Sequence, residues 1–171
     1  MGKITFEKAR LEDALRISVL LKTVYIQTYA EHGVTFEFAN FITKRFSTDH
    51  ITQLIKEKPN QLIVAYNDGN PIGAAEILYD VTCPIKKVKV AELSKLYVLE
   101  RFYGQGVGFG LMNEVEKEVI KKGEKRLNLE VYVENQRAIT FYHRQGYASI
   151  GMVDFPMEAN TYKNYVLQKT L

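Results

Sequence analysis

The stretch that most constrains this chain is Leu93 to Gly110, LSKLYVLERFYGQGVGFG. An apolar, strand-like run gives way there to four alternate glycines, Gly104, Gly106, Gly108 and Gly110, just where a helix begins. A helix start leaves backbone N–H groups without intrahelical partners and carries partial positive charge, and glycine lets a ligand approach that backbone closely. The stretch reads as a cradle for a polyanion, a chain of phosphates above all. Its spacing is not the dinucleotide Gly-x-Gly-x-x-Gly, and no Lys-Ser or Lys-Thr follows as in a P-loop. The competing reading is a tight strand-to-helix turn with no ligand.

On either side the pattern alternates between strand and helix. Lys3 to Lys8 alternates as a first strand, and Arg10-Leu11-Glu12-Asp13 opens a long helix. Its apolar set Leu15, Val19 and Leu20, with Tyr25 and Ile26, has near-helical spacing and continues toward Tyr29 and Ala30 before Gly33. Phe36 to Phe46 and Asp49 to Lys58 are further helical pieces, with Ser47, Thr48 or Asp49 as cap and Pro59 as stop. Gln61 to Tyr66 and Pro71 to Tyr79 form a hairpin across Asn67-Asp68-Gly69-Asn70. The connection Thr82 to Lys87 leads to a strand over Val88 to Val98 that enters the glycine turn.

Beyond the turn, Val107 to Lys122 carries Leu111, Met112, Val115 and Val119 on one helical face, and Gly123 ends it. Arg126 to Val133 alternates as a strand. Glu134-Asn135-Gln136 turns into a short helix that reaches Gln145 and closes at Gly146. Two last strands lie around Ala148 to Phe155 and Tyr162 to Thr170, separated by Pro156 to Asn160. No repeat or low-complexity linker divides the chain, and 171 residues at 46% hydrophobic content suit one domain with a sizeable core. The element order is that of a mixed α+β sheet domain.

A net charge of +3, with the basic residues dispersed, argues against a nucleic-acid binder. The start MGKITFEKARLED has no apolar signal core, and no apolar run approaches the roughly 20 residues that span a bilayer. With one cysteine, Cys83, and so no internal disulfide, a cytoplasmic protein without membrane attachment is expected. His32, His50 and His143 are scattered without ligand spacing, so no metal site and no His-based triad is expected. Whether the chain forms a homo-oligomer stays open.

Tyr103-Gly104-Gln105-Gly106-Val107-Gly108 resembles motif A of the GCN5-related N-acetyltransferases (GNAT), Arg/Gln-x-x-Gly-x-Gly/Ala, which cradles the pyrophosphate of acetyl-CoA. Tyr103 replaces the family's Arg or Gln, which shifts the load onto backbone N–H groups from Gln105 through Val107, Gly108 and Phe109 to Gly110. Asn135 to Tyr147, NQRAITFYHRQGY, is similar to the family's Asn-x-x-Ala-x-x-Phe-Tyr-x-Lys/Arg-x-Gly-Phe/Tyr segment. The resemblance covers essentially the whole chain. It implies a single GNAT-like domain, a mostly antiparallel sheet of about seven strands with about four helices.

It also implies roles. Leu96, Tyr97 and Val98 would pair with the pantetheine arm as an added strand would; an ordinary buried strand is the alternative. Tyr142 matches the position that places a phenol near the thioester sulfur, where it would act as general acid for the departing thiolate. Its alternative, at i+4 from Ala138 and beside Phe141, is packing on the core. Glu92, six residues before Val98 on the same strand, would take the acceptor's proton directly or through water. The alternatives are a solvated strand end or an ion pair with Lys95 or Lys89. Asn135 is a candidate for the pantetheine amides and Arg144 for a CoA phosphate, against a turn-forming Asn and a surface Arg. Thr23 to Tyr29, Phe41 to Phe46 and the Gln61 to Gly73 hairpin resemble the polyamine acetyltransferases of the PaiA type. That implies acetyl transfer from acetyl-CoA to a small primary amine such as spermidine or spermine. Tyr25, Tyr29 and Glu76 are the acceptor-site candidates, and Glu31, Glu37, Asp80, Asp154 and Glu158 are further carboxylates for a polycation. Acetylation of a protein N-terminus or lysine, and non-catalytic sensing of acyl-CoA, are the other readings.

Overall fold

The elements stand close to where alternation and helical periodicity place them. In the computed structural model, which describes residues 2–171, the strands are β1 Ile4–Lys8, β2 Gln61–Asn67, β3 Asn70–Thr82, β4 Lys89–Val98, β5 Arg126–Tyr132, β6 Ala148–Pro156 and β7 Thr161–Thr170. The helices are α1 Ala14–Tyr29, α2 Phe36–Arg45, α3 Thr48–Lys56, α4 Val107–Lys121 and α5 Gln136–Arg144. The strands form one α+β sheet in the order β1-β2-β3-β4-β5-β7-β6. β1/β2, β2/β3, β5/β7 and β6/β7 pair antiparallel, while β4 and β5 pair in parallel over Ala91–Leu93. Parallel neighbours need a long crossover, and the segment holding α4 is that crossover.

By internal contacts the chain divides into two compact units, each described by itself. The first runs to Ile77 and resumes over Lys95–Val115; the second comprises Leu78–Ser94 and Glu116–Leu171. β3, β4 and α4 each pass from one unit into the other.

In the first unit, α1 packs Ala14, Ile17, Leu20, Leu21, Val24 and Tyr25 into a cluster with Ile42 and Phe46, Ile51 and Leu54, and the sheet residues Leu62, Val64, Tyr66 and Ala74. Of the helically spaced apolar set read from the sequence, Leu20 and Tyr25 are buried here, while Leu15 is 62% and Val19 56% exposed. Two stripes of helical spacing compete on α1, and the one with more apolar members is buried. The next helical region is two short helices because each start is separately capped: Thr35 accepts from the Phe38 N–H and Ser47 from the His50 N–H. The β2–β3 turn places Asp68 at φ 47° and Gly69 at φ 79°, as a two-residue hairpin of this hand requires. Buried Asp13 accepts from the Tyr66 hydroxyl at 2.6 Å and from Arg16. Burial pushes the Asp13 carboxyl up, and these two bonds outweigh it, leaving a net shift below the usual carboxylate value.

In the second unit, Leu127, Leu129, Val131, Val166 and Leu167 are buried along β5 and β7, with Val119 of α4, Ile139 and Tyr142 of α5, and Tyr147. Two polar arrangements lie inside it. Glu116 receives the Tyr147 hydroxyl at 3.1 Å and Lys169 at 2.8 Å, while Lys86 donates to Gln168, which donates to Asn128 at 2.7 Å.

Candidate active site

The four alternate glycines do different work. After β4, the Leu99 N–H bonds the Ile72 carbonyl at 2.9 Å and a 3₁₀ turn covers Glu100–Phe102. Gly104 and Gly106 then take φ 73° and 78°, values open to glycine and strained for a residue with Cβ. The first hydrogen bond of α4 runs from the Gly110 N–H to the Gly106 carbonyl at 2.8 Å, so the N–H groups of Val107, Gly108 and Phe109 precede the helical ladder. A Cβ at Gly104 or Gly106 would meet nothing within 4 Å, which leaves the turn open to a ligand. At Gly110, by contrast, a Cβ would collide with the Phe6 ring of β1, so this glycine serves helix-on-strand packing. The Gln105 side chain donates to the Arg101 carbonyl at 2.9 Å and the Tyr103 N–H to the Glu100 carbonyl at 3.0 Å. These bonds hold the turn in shape and leave its backbone to meet an anion. The residues fit a pyrophosphate: oriented N–H donors, a positive helix end and no side chain in the way.

Leading into this turn, Leu96 and Tyr97 are half-buried and Val98 is buried. They lie beyond the Ala91–Leu93 ladder to β5. Gly73 of β3 comes so near that a Cβ there would sit 2.9 Å from the Tyr97 carbonyl oxygen. One residue before Leu96, Lys95 is buried and paired to the Glu76 carboxylate, whose same oxygen lies 3.5 Å from Arg45 Nη2. Arg45 also donates through Nη1 to His50 Nε2. Burial, and then the Arg45 charge, hold the His50 imidazole below its ordinary pKa. Phe46 lies under the Lys95 ammonium, 5.9 Å from ring centroid to Nζ, and its edge meets Tyr97 at 6.2 Å. Tyr25 stacks with Phe41 at 5.2 Å and neighbours Tyr29 at 4.7 Å and Phe46 at 5.6 Å. The first unit thus brings Tyr25, Tyr29 and Glu76 into one aromatic and ionic neighbourhood. It adds Arg45, Lys95, His50 and Phe46, which sequence reasoning did not assign to it. The available signal was a lysine and a glutamate set against apolar neighbours, Lys95 before Leu96-Tyr97-Val98 and Glu76 between Ala74-Ala75 and Ile77-Leu78.

The second unit holds the other candidates. Glu92 is half-buried on β4, alternating with buried Ala91 and Leu93 and in register with Asn128 of β5. Tyr142 is buried on α5, with Phe141 at 5.4 Å and Tyr147 at 6.0 Å between ring centroids. Asn135 caps α5, its Oδ1 accepting from the Ala138 N–H at 3.1 Å, so that oxygen does the work of a turn residue. Arg144 lies exposed in the last turn of α5. Of the further carboxylates, Glu31, Asp80, Asp154 and Glu158 are exposed and Glu37 is half-buried; Asp154 pairs with Lys163 at 2.6 Å. Among the described residues no group of three His, Cys, Asp or Glu is placed to hold a metal ion, and no helix is long and apolar enough to cross a membrane.

A strand that runs into an N–H-lined turn at the head of a crossover helix is an α+β arrangement that suits a phosphate ligand, and comparison with known proteins narrows the class. The model of the acetyltransferase (GNAT) family matches residues 26–147, and the chain belongs to that family. It is an N-acetyltransferase that works with acetyl-CoA. An uncharacterised N-acetyltransferase of Methanocaldococcus jannaschii is 28% identical over 159 residues, covering 82% of this chain and 70% of that protein. Another, from Mycobacterium tuberculosis, is 29% identical over 141 residues, covering 82% and 83%. In fold, the chain is similar to the PaiA N-acetyltransferase of Thermoplasma acidophilum, solved with coenzyme A, at a TM-score of 0.82, 21% identity and 99% coverage of both chains. It is also similar to an N-acetyltransferase of Staphylococcus aureus, at a TM-score of 0.76, 16% identity and 99% coverage of both.

Proposed function

We propose that the whole chain acts as one domain that moves the acetyl group of acetyl-CoA directly to a primary amine in a ternary complex. The observation that carries this reading is the open, N–H-lined turn at the head of α4. Val107, Gly108 and Phe109 present their N–H groups to the pyrophosphate, and the backbone of Leu96, Tyr97 and Val98 aligns the pantetheine arm. An ammonium of pKa about 10 must lose its proton before it can attack, and Glu92 takes that proton directly or through water. Tyr142 donates a hydrogen bond to the sulfur as it gains charge, and then its proton. Asn135 and Arg144 add contacts to the amide arm and a phosphate.

The sequence resemblance to PaiA-type enzymes nominates spermidine or spermine as acceptor, with Tyr25 and Tyr29 as aromatic contacts. Glu76, nominated with them, already faces Lys95 and Arg45, so a polycation gains less from it than from an unpaired carboxylate.

Thiol release measured across polyamines, aminoglycosides, amino acids and lysine peptides tests the reaction. Gly106→Val should raise KM for acetyl-CoA at least about tenfold, since it strains the turn and fills the cradle. Tyr142→Phe should lower kcat by roughly a hundredfold with KM little changed. Tight acetyl-CoA binding without turnover on any amine would overturn the reading in favour of an acyl-CoA sensor.

A further inference from the structure

The ionic cluster of the first unit bears on which amine is accepted, an inference that rests on the amine-acetyltransferase reading. If the pyrophosphate lies at the head of α4 and the arm runs back along Val98, Tyr97 and Leu96, the reactive end of the donor is directed toward Lys95. Lys95 is nine-tenths buried and committed to Glu76, whose side chain is 2% exposed. Arg45 is different. At the end of α2 its side chain keeps 29% exposure, and its contact with Glu76 is long, at 3.5 Å. Its other donor meets His50 Nε2, which must be unprotonated to accept it. Glu76 is thus faced by two cations, Lys95 and Arg45, with a neutral imidazole beside them; the further carboxylate that acts on His50, Glu57, lies exposed at the end of α3. The second oxygen of Glu76, Oε1, is buried with no hydrogen-bond donor.

We propose that the acceptor is a small amine that also carries a carboxylate, an amino acid in the broad sense, and that Arg45 is the specificity-determining residue that receives the carboxylate. Three physical points support this. Arg45 presents a partly exposed cation that Glu76 neutralises only across a long contact, so it repels a polycation and attracts an anion. That cation is a guanidinium, whose planar fork matches a carboxylate in two parallel hydrogen bonds, and its weak existing contact with Glu76 is readily exchanged. A nearby cation also disfavours the ammonium form of a bound amine, helping it to become a neutral nucleophile.

The test is steady-state thiol release at saturating acetyl-CoA, using the common amino acids, the primary amide of each, and putrescine and spermidine. The free carboxylates should exceed their own amides in kcat/KM by about ten- to a hundredfold. Arg45→Gln should erase that preference by raising KM for the carboxylates, with kcat held within about twofold, and Arg45→Lys should restore part of it. If Arg45→Gln does not fold, as judged by its melting curve, the wild-type comparison of acid with amide decides alone. Amides, polyamines or lysine peptides turned over as well as the carboxylates would overturn the proposal while leaving amine acetylation standing. So would a preference that survives Arg45→Gln. No transfer to any amine would overturn both.

Discussion

Glu76 and Glu116 are both carboxylates gripped by a lysine, the first buried and the second half-buried, yet they are built to different ends. Glu116 is closed: its Oε1 receives Tyr147 and Lys169 and its Oε2 receives Lys169 at 2.9 Å. The Lys169 ammonium also lies 5.6 Å from the Tyr147 ring centroid. Burial, and then the Glu116 charge, push the Tyr147 phenol far above its ordinary pKa, so it serves as a fixed donor. Glu76 is lopsided: one oxygen takes both Lys95 and Arg45, the other takes nothing, and Arg45 leads outward. A satisfied network locks a structure, whereas an unequal one keeps a valence and a charge for something else.

That contrast can be broken or sharpened by substitution. The largest effect is expected from Glu76→Leu, which strands the nearly buried Lys95 ammonium and should cost about 3 kcal/mol in urea unfolding. Adding Lys95→Met should recover most of that loss, and a double variant no more stable than the single would refute the pairing. Glu116→Ala should cost less, about 2 kcal/mol, because Lys169 can swing to water, and kcat/KM for both substrates should stay at the wild-type value wherever the variant is folded. A shift in acceptor KM there would end the distinction between a closed centre and an open one. Tyr147→Phe should cost about 1 kcal/mol, read as a lower denaturation midpoint at unchanged slope.

The smallest effect is in the pH dependence of the first unit. His50 titrates below its ordinary value of 6.5, so the unfolded chain takes up that proton first. Its contribution is complete above pH 6.5 and declines as the pH falls below it. Asp13 acts in the same direction lower down: its folded value is depressed, so its stabilisation is present above the ordinary 3.8 and is lost as the pH falls through the folded value. Melting temperatures from pH 8 to pH 5 should fall for the wild type and fall less for His50→Gln; parallel curves would remove His50 from the cause.

What could be read in the sequence was what neighbours along the chain impose on one another. The glycine turn, the Asp68-Gly69 hairpin, the cap at Ser47 and the alternation of β5 are local, and the structure has them. On α1, Leu15 and Val19 have the same helical spacing as Ile17, Leu21 and Val24, yet only the latter three are buried. Spacing says that a stripe exists and leaves open which stripe the sheet covers. Gly110 was grouped with the phosphate turn, although its requirement comes from Phe6, over a hundred positions earlier in the chain.

The candidate site divides in the same way. The order of residues alone determined that a strand would end in a ligand-ready backbone at the head of a helix, because that depends on φ angles open to glycine and on N–H groups left over when a helix starts. Only the tertiary structure decided that Arg45, Glu76 and Lys95 would share one carboxylate oxygen. Charge balance is a sum over whatever folding brings within a few ångströms, and residues from α2, β3 and β4 enter that sum only once the sheet and its helices have assembled.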